Sequence, residues 1–295
     1  MLDTQMYNSL SDNVTEDSVF GDIPKDIDFP VMFEPTRVSH KKYVINGDTG
    51  QYLDTVGHKF NCASHPDFFR RVQDTMIEEL NAPDLQDVNA TFRTARNGAW
   101  AMMDVTFPNV KVNVETLKHK TEIAQRVIAL HGIDGSCSNQ VFYGGIDFFC
   151  TNGMISGEYD TVRRKNTLLF SLDRFISELR RAKQDFYQHG RKLQTWASTH
   201  VSHDQVKQLL DEVLKSDSKA DKMFNVYNME AAQRGQNLFS LYSAFTNYSS
   251  HANENNGFKL RETGNDTQAQ SMFRREQDVS KWISTPQFRA LELAA

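Results

Sequence analysis

The sequence predicts an α+β protein in which an antiparallel sheet built from hairpins packs against a long helix, followed by a helical C-terminal part. Three observations carry that expectation. Turn clusters such as Asn46-Gly47-Asp48 and Thr151-Asn152-Gly153 separate short apolar runs, the pattern that closes hairpins. Apolar residues recur at helical spacing through most of the second half. The strands join through tight turns, which indicates antiparallel pairing and not a doubly wound parallel sheet.

Taken in order, residues 1–38 read as an acidic, partly extended arm. Eight acids face only Lys25 and Arg37 between Met1 and Ser39, and Pro24, Pro30 and Pro35 oppose regular packing. Residues 39–295 then form a single domain, sheet-rich over 39–167 and helix-rich over 168–295. Lys41 to Ile45 and Gln51 to Phe60 make the first hairpin. Ser64 caps a helix with Pro66 and Asp67 in its first turn and Phe68, Phe69, Val72, Met76, Ile77 and Leu80 at helical spacing. Thr91 to Val114 reads as two strands turning at Pro108-Asn109, with Trp100, Met102, Asp104 and Thr106 on one face. A further hairpin joins Gln140–Cys150 to a strand from Met154. Ser171 N-caps a helix to about His189, where Gly190 ends or kinks it. More helices span His203–Leu214, Ala231–Tyr248 and, as one or two pieces, Met272–Leu293, with a loop over 249–268.

The chain of 295 residues has 39% hydrophobic and 24% charged residues, an ordinary globular balance. Its apolar runs are too short to span a bilayer, and its start has neither basic residues nor an apolar block. Three cysteines (Cys62, Cys137, Cys150) make no disulfide framework, so a reducing, cytoplasmic setting without membrane contact is expected. A net charge of −5 argues against a protein that coats nucleic acid indiscriminately. Yet nine bases face five acids between Gly157 and Thr195. Arg174, Arg180, Arg181, Arg191 and Lys192 fall in one helical sector opposite the apolar side, and Arg163, Arg164 and Lys165 immediately precede it. Asp173, Glu178 and Asp185 dilute the stripe, and an ordinary solvated surface would look much the same.

Those eight bases suit phosphate oxygens, because arginine forks offer several donors at any physiological pH. The expected function is non-specific binding of single-stranded DNA by a homo-oligomer, with annealing or recombination as the role and no cofactor. Trp100, Phe142 and Tyr143 are candidates for base stacking, although aromatic strand residues are more often core. The alternative is a protein-interaction module that modulates a host or phage protein, its acidic arm imitating nucleic acid.

Other chemistry is thinner. His58, Cys62 and His65 lack a fourth ligand for a closed zinc site, so no metal is expected. His131, Asp134, Ser136 and Cys137 include hydrolase residue types, but two glycines mark the stretch as a turn; an enzyme would need a pocket joining these to a second histidine. Gly144-Gly145 lacks the pattern of a phosphate loop. Asn247 to His251 reads as a C-cap network or subunit contact.

Three blocks, HGIDGSCSNQVFYGGIDFFCTNGMISG, AFTNYSSHANENNGFKLRETGND and RREQDVSKWISTPQFRAL, stand in this order and resemble the phage- and plasmid-borne family called domain of unknown function 932. The resemblance covers about residues 40 to 293 and leaves the acidic arm outside. It implies a mobile-element origin and a place among replication, recombination or host-takeover genes, and it assigns no catalytic residues. The Cys150-Thr151-Asn152-Gly153 turn matches the family's turn and reads as structural.

Overall fold

The computed structural model describes residues 19–147, 153–155, 161–166, 171, 173, 186–252 and 265–293. Strands β1 (Val31–Pro35), β2 (Lys41–Asn46) and β3 (Tyr52–Gly57) form a small sheet in that order. After helix α1 (His65–Glu79) come β4 (Asn89–Ala95), β5 (Trp100–Glu115), β6 (Lys120–Gly132) and β7 (Asn139–Asp147), side by side in sequence order. Two short strands, β8 (Gly153–Ile155) and β9 (Thr161–Arg164), share the outer edge of β7. Every pairing among the described strands is antiparallel. The rest is helical: α2 (Phe186–Ser198), α3 (His203–Leu214), α4 (Asp217–Arg234), α5 (Leu238–His251), α6 (Asn265–Ile283) and α7 (Pro286–Leu293). The α+β class with a helical C-terminal part is therefore as expected. No described helix is long and apolar enough to cross a membrane.

Local signals explain most elements. The Asn46 carboxamide oxygen accepts from the amides of Asp48 and Thr49 and closes the β2–β3 turn. The Ser64 hydroxyl accepts from the Asp67 amide at 3.1 Å, a cap worth about 1 kcal/mol. One side of α1 then buries Phe68, Phe69, Val72 and Met76 on Ala101, Met103, Val105, Val127 and Ala129 of the sheet. Each such large side chain contributes roughly 1.5–3 kcal/mol. Phe20 and Ile27 join this core and Val31–Pro35 pairs with β2, so the second half of the acidic segment is a packed strap and not only an arm. Three apolar side chains among its acids (Phe20, Ile27, Phe29) hold it down.

Four elements differ from expectation. β5 passes straight through Pro108-Asn109, with a register shift between Phe107 and Lys111. Proline lacks a ladder donor, and the strand absorbs it as a bulge instead of turning. β6, unrecognised as a separate strand, is buried over Ile123–Gly132, and burial on both faces erases the period-2 signal. Gly190 lies inside α2 and does not end it; a Cβ there would sit 2.8 Å from Val112 Cγ1, so the missing side chain lets the helix approach β5. The helix expected over Ala231–Tyr248 is two, α4 and α5, broken at Gly235 (φ +96°), with Asn237 capping the second through the Ser240 amide. Residues 174–185, most of the expected basic helix, lie outside the described residues.

A buried ion-pair group ties sheet to helices. Arg234 of α4 donates to Asp147 at the end of β7 (2.7 Å) and to Glu230 (3.1 Å), while Thr121 donates to the other Asp147 oxygen. The α2–α5 and α6–α7 core packs beside it on Val114 and Ile123.

Candidate functional site

Strand register sorts the large sheet into two faces. Val105, Val127 and Tyr143 point toward α1. Met102, Leu130 and Gln140 align on the opposite face, as do Asp104, Ile128 and Phe142, then Thr106 and Arg126. Helix α6 packs over this second face, against β4 and β8. Its centre is apolar, built from Trp100, Met102, Ile128, Leu130 and Phe142. Both ends are polar, and each holds a recess that α6 helps to wall.

The first recess is a cleft of about 300 Å³ rimmed by Arg96, Arg163 and Arg274, with Trp100, Gln140 and Gln277 among its walls. None of its described lining residues is acidic. Arg96 stands in the β4–β5 turn at φ +56°, followed by Asn97 at φ +55°. Left-handed backbone at two consecutive non-glycine residues costs energy, and the surroundings must over-determine it. They do so through His65, whose Nε2 meets the Gly98 carbonyl at 2.9 Å, and through Asp134, whose carboxylate pairs with Arg96 Nε at 2.5 Å. Asp54 adds a longer contact to Arg96, at 3.4 Å. Arg163 reaches the rim from β9, its Nε 3.3 Å from the Ser138 hydroxyl. Arg274, on α6, is exposed and makes no ion pair among the described residues. Cys137 also lines the cleft, but burial, and then the Asp134 charge, push its thiol up to about 12, so it is a protonated and poor nucleophile.

The second recess is a cavity of about 280 Å³ at the other end of the same face, about 13 Å along β6 at the strand rise from Leu130 to Arg126. Its buried wall is an ion-pair triad. Arg126 donates to Asp104 through Nε (2.8 Å) and Nη2 (2.6 Å) and to Glu276 of α6 through Nη1 (3.0 Å). Burial works against the Arg126 charge, but Glu276 and Asp104 outweigh it and its pKa rises. The Glu276 carboxyl is also pushed up, because its burial outweighs the single Arg126 contact and Asp104 stands close. Glu276 Oε2 is buried without a hydrogen-bond partner among the described residues. Asn89, Thr91 and Thr106 line the same cavity from the sheet, and Ser250 and His251 from the end of α5.

Of the four expected phosphate-holding bases whose side chains are described (Arg163, Lys165, Arg191 and Lys192), Arg163 alone lines the cleft. Lys165 follows it and is exposed. Arg164 belongs to β9, but its side chain lies outside the described residues, as do Arg174, Arg180 and Arg181 altogether. Arg191 and Lys192 are exposed on α2, which packs around Val112 and Val114 on the α1 side of the sheet, so they do not share a face with Arg163. Lys192 is paired with Glu292 at 3.1 Å and lies over the Trp196 ring. Trp100, Phe142 and Tyr143 are all buried, so none is an exposed stacking platform; Trp100 contributes only to the wall of the cleft. Arg96, Arg274 and Glu276 went unnoticed because none belongs to a one-sided periodic stripe: Arg96 stands in a turn, and Arg274 and Glu276 sit in the mixed-sign run Arg274-Arg275-Glu276 of the third block quoted above.

The hydrolase residues do not converge. His131 does meet a second histidine, its Nδ1 2.9 Å from His65 Nδ1, but both rings are buried against Phe68 and Phe69 on the α1 side. Asp134 is held by Arg96, and Cys137 opens to the other face. Among the described residues no group of His, Cys, Asp and Glu is arranged to hold a metal ion.

Fold and site define an α+β protein whose sheet carries two ligand-sized recesses under one crossing helix. The chain belongs to the family described as Domain of unknown function (DUF932), whose model matches residues 53–281, a span that contains every described residue lining both recesses. No curated protein and no solved structure matches it.

Proposed function

We propose that this is a phage DNA-metabolism protein that binds single-stranded DNA without sequence preference, with annealing or recombination as its role. The observation that carries the proposal is the cleft rimmed by Arg96, Arg163 and Arg274, with no carboxylate among its described lining residues. Guanidinium groups there suit a phosphodiester backbone, and the adjacent Gln140 and Gln277 amides supply neutral donors. In this reading Arg163 and Arg274 contact the strand, with Lys165 nearby, while Arg96 is paired with Asp134 and Asp54. An annealing role further requires protomers aligned along the strand, hence an oligomer in the host cytoplasm.

Fluorescence anisotropy with a labelled thymidine oligonucleotide tests this. Affinity is expected to fall as salt rises from about 50 to 200 mM, with a log–log slope of about −0.7 per phosphate held. Arg163→Glu with Arg274→Glu is expected to weaken binding by more than about tenfold and to flatten the slope by about two contacts. Absence of binding at the lowest salt, or an unchanged slope in the double variant, overturns the proposal.

A second reading, a module that binds a host or phage protein, draws on the small sheet, whose outer side exposes Met32, Tyr43 and Tyr52. Tyr43→Ser with Tyr52→Ser separates the two: loss of a protein partner with oligonucleotide affinity intact supports this reading.

A further inference from the structure

We propose that Asp54 is a built-in competitor at the cleft: its carboxylate counters Arg96 and is displaced from it when a phosphate enters. The inference rests on the cleft reading above and adds how that site is restrained.

Arg96 stands between two carboxylates that hold it very differently. The Asp134 side chain is wholly buried; its Oδ1 accepts from the Ser136 amide at 2.8 Å, and its Oδ2 lies 2.5 Å from Arg96 Nε. Parting that pair would strand a charge in the interior, so Nε stays in place. Asp54 reaches Arg96 Nη2 at only 3.4 Å, longer than the ordinary hydrogen-bond range of about 2.7–3.2 Å. Its side chain is 34% exposed, so water replaces this contact at small cost. The other Asp54 oxygen accepts from the Thr55 amide at 2.7 Å, a bond within β3 that does not depend on Arg96. The terminal nitrogens of Arg96 can therefore exchange Asp54 for a phosphate while Asp134 keeps the guanidinium at the rim. A phosphate oxygen at charge-assisted distance is the stronger partner.

Strand register aims Asp54 at this position. Phe33, Val44 and Asp54 form one row across the small sheet, and Val44 and Val56 on that side are buried. Asp54 thus lies on the side that faces the body of the protein. Glu34, Tyr43 and Thr55 form the next row, on the outer side. Val31 and Leu53 pack on Ala99 and Ile133 of the large-sheet turns, which fastens the small sheet beside the cleft. A carboxylate held there weakens the field that draws an anion in.

The test compares the native full chain with Asp54→Asn, using anisotropy of a labelled thymidine oligonucleotide. The carboxamide keeps an acceptor for the Thr55 amide and removes only the charge. Affinity is expected to rise about two- to fivefold at low salt, the worth of one half-exposed ion pair. The log–log salt slope should also steepen, by up to about 0.7, because no freed carboxylate takes up a cation on binding. Glu34→Gln makes the same charge change on the outer side and should alter neither quantity. Calorimetric titration with inorganic tripolyphosphate repeats the comparison without DNA, and Asp54→Asn should again bind more tightly. The inference is overturned if Asp54→Asn matches the native chain toward the probes it binds, binds them more weakly, or gains no more than Glu34→Gln. Failure of both probes to bind overturns it together with the cleft reading. Tighter tripolyphosphate binding by Asp54→Asn, with no oligonucleotide binding, overturns the DNA reading alone.

Discussion

Acidification from pH 7 to pH 5 should destabilise the fold through His65, and the structure sets the size of the effect. The Gly98 carbonyl can only accept, so His65 Nε2 carries a proton and its Nδ1 is bare, ready to accept from His131 Nδ1. Both rings are neutral in this arrangement. Burial holds His65 down at about 4 against an ordinary 6.5, and the Gly98 contact only partly offsets it. The unfolded chain therefore binds the proton more readily between these values, and stability is lost as pH falls through about 6.5, levelling off below about 4. Two and a half pK steps at about 1.4 kcal/mol each give roughly 3 kcal/mol in full, and about 2 kcal/mol of it is gone at pH 5. His131, also held well below its ordinary value by burial and by the neighbouring His65, acts in the same sense. Glu276, whose carboxyl is raised, acts in the opposite sense, so the comparison must be internal. Urea unfolding at several pH values between about 7 and 5 should show a steep fall for the native chain and a fall about 2 kcal/mol smaller for His65→Gln. Equal slopes in the two proteins would refute the assignment of the buried neutral pair.

Two further tests probe the frame that positions the recesses. Gly190→Ala would place a methyl 2.8–2.9 Å from three atoms of Val112; overpacking of about 1–3 kcal/mol exceeds the ~1 kcal/mol of helix propensity gained, and Val112→Ala should restore the loss in a double-variant unfolding series. Arg234→Met strands Asp147 in the interior and should cost about 3–5 kcal/mol by denaturant midpoint, with Asp147→Asn in the same chain recovering part of it.

The elements most legible in the sequence were those whose boundary chemistry is local. Ser64 and the Asn46-Gly47 turn each satisfy a backbone group within three residues, so a short window contains the whole cause. β6 and the bulge at Pro108-Asn109 were not legible, because their cause is the neighbouring strands. A run buried on both faces loses its period, and a proline becomes a bulge only when a partner continues past it. The functional surface follows the same division. An arginine stripe is a periodic signal and draws the eye to Arg174, Arg180 and Arg181, whereas the cleft gathers Arg96 from a turn, Arg163 from an edge strand and Arg274 from a helix more than a hundred positions later. Asp104 showed as one of four residues on a common strand face, yet nothing in its own segment named Arg126 or Glu276 as its partners. Periodicity reveals which side of an element is buried. Only the register of β4 to β7, and the passage of α6 across them, decides which distant charges that side brings together.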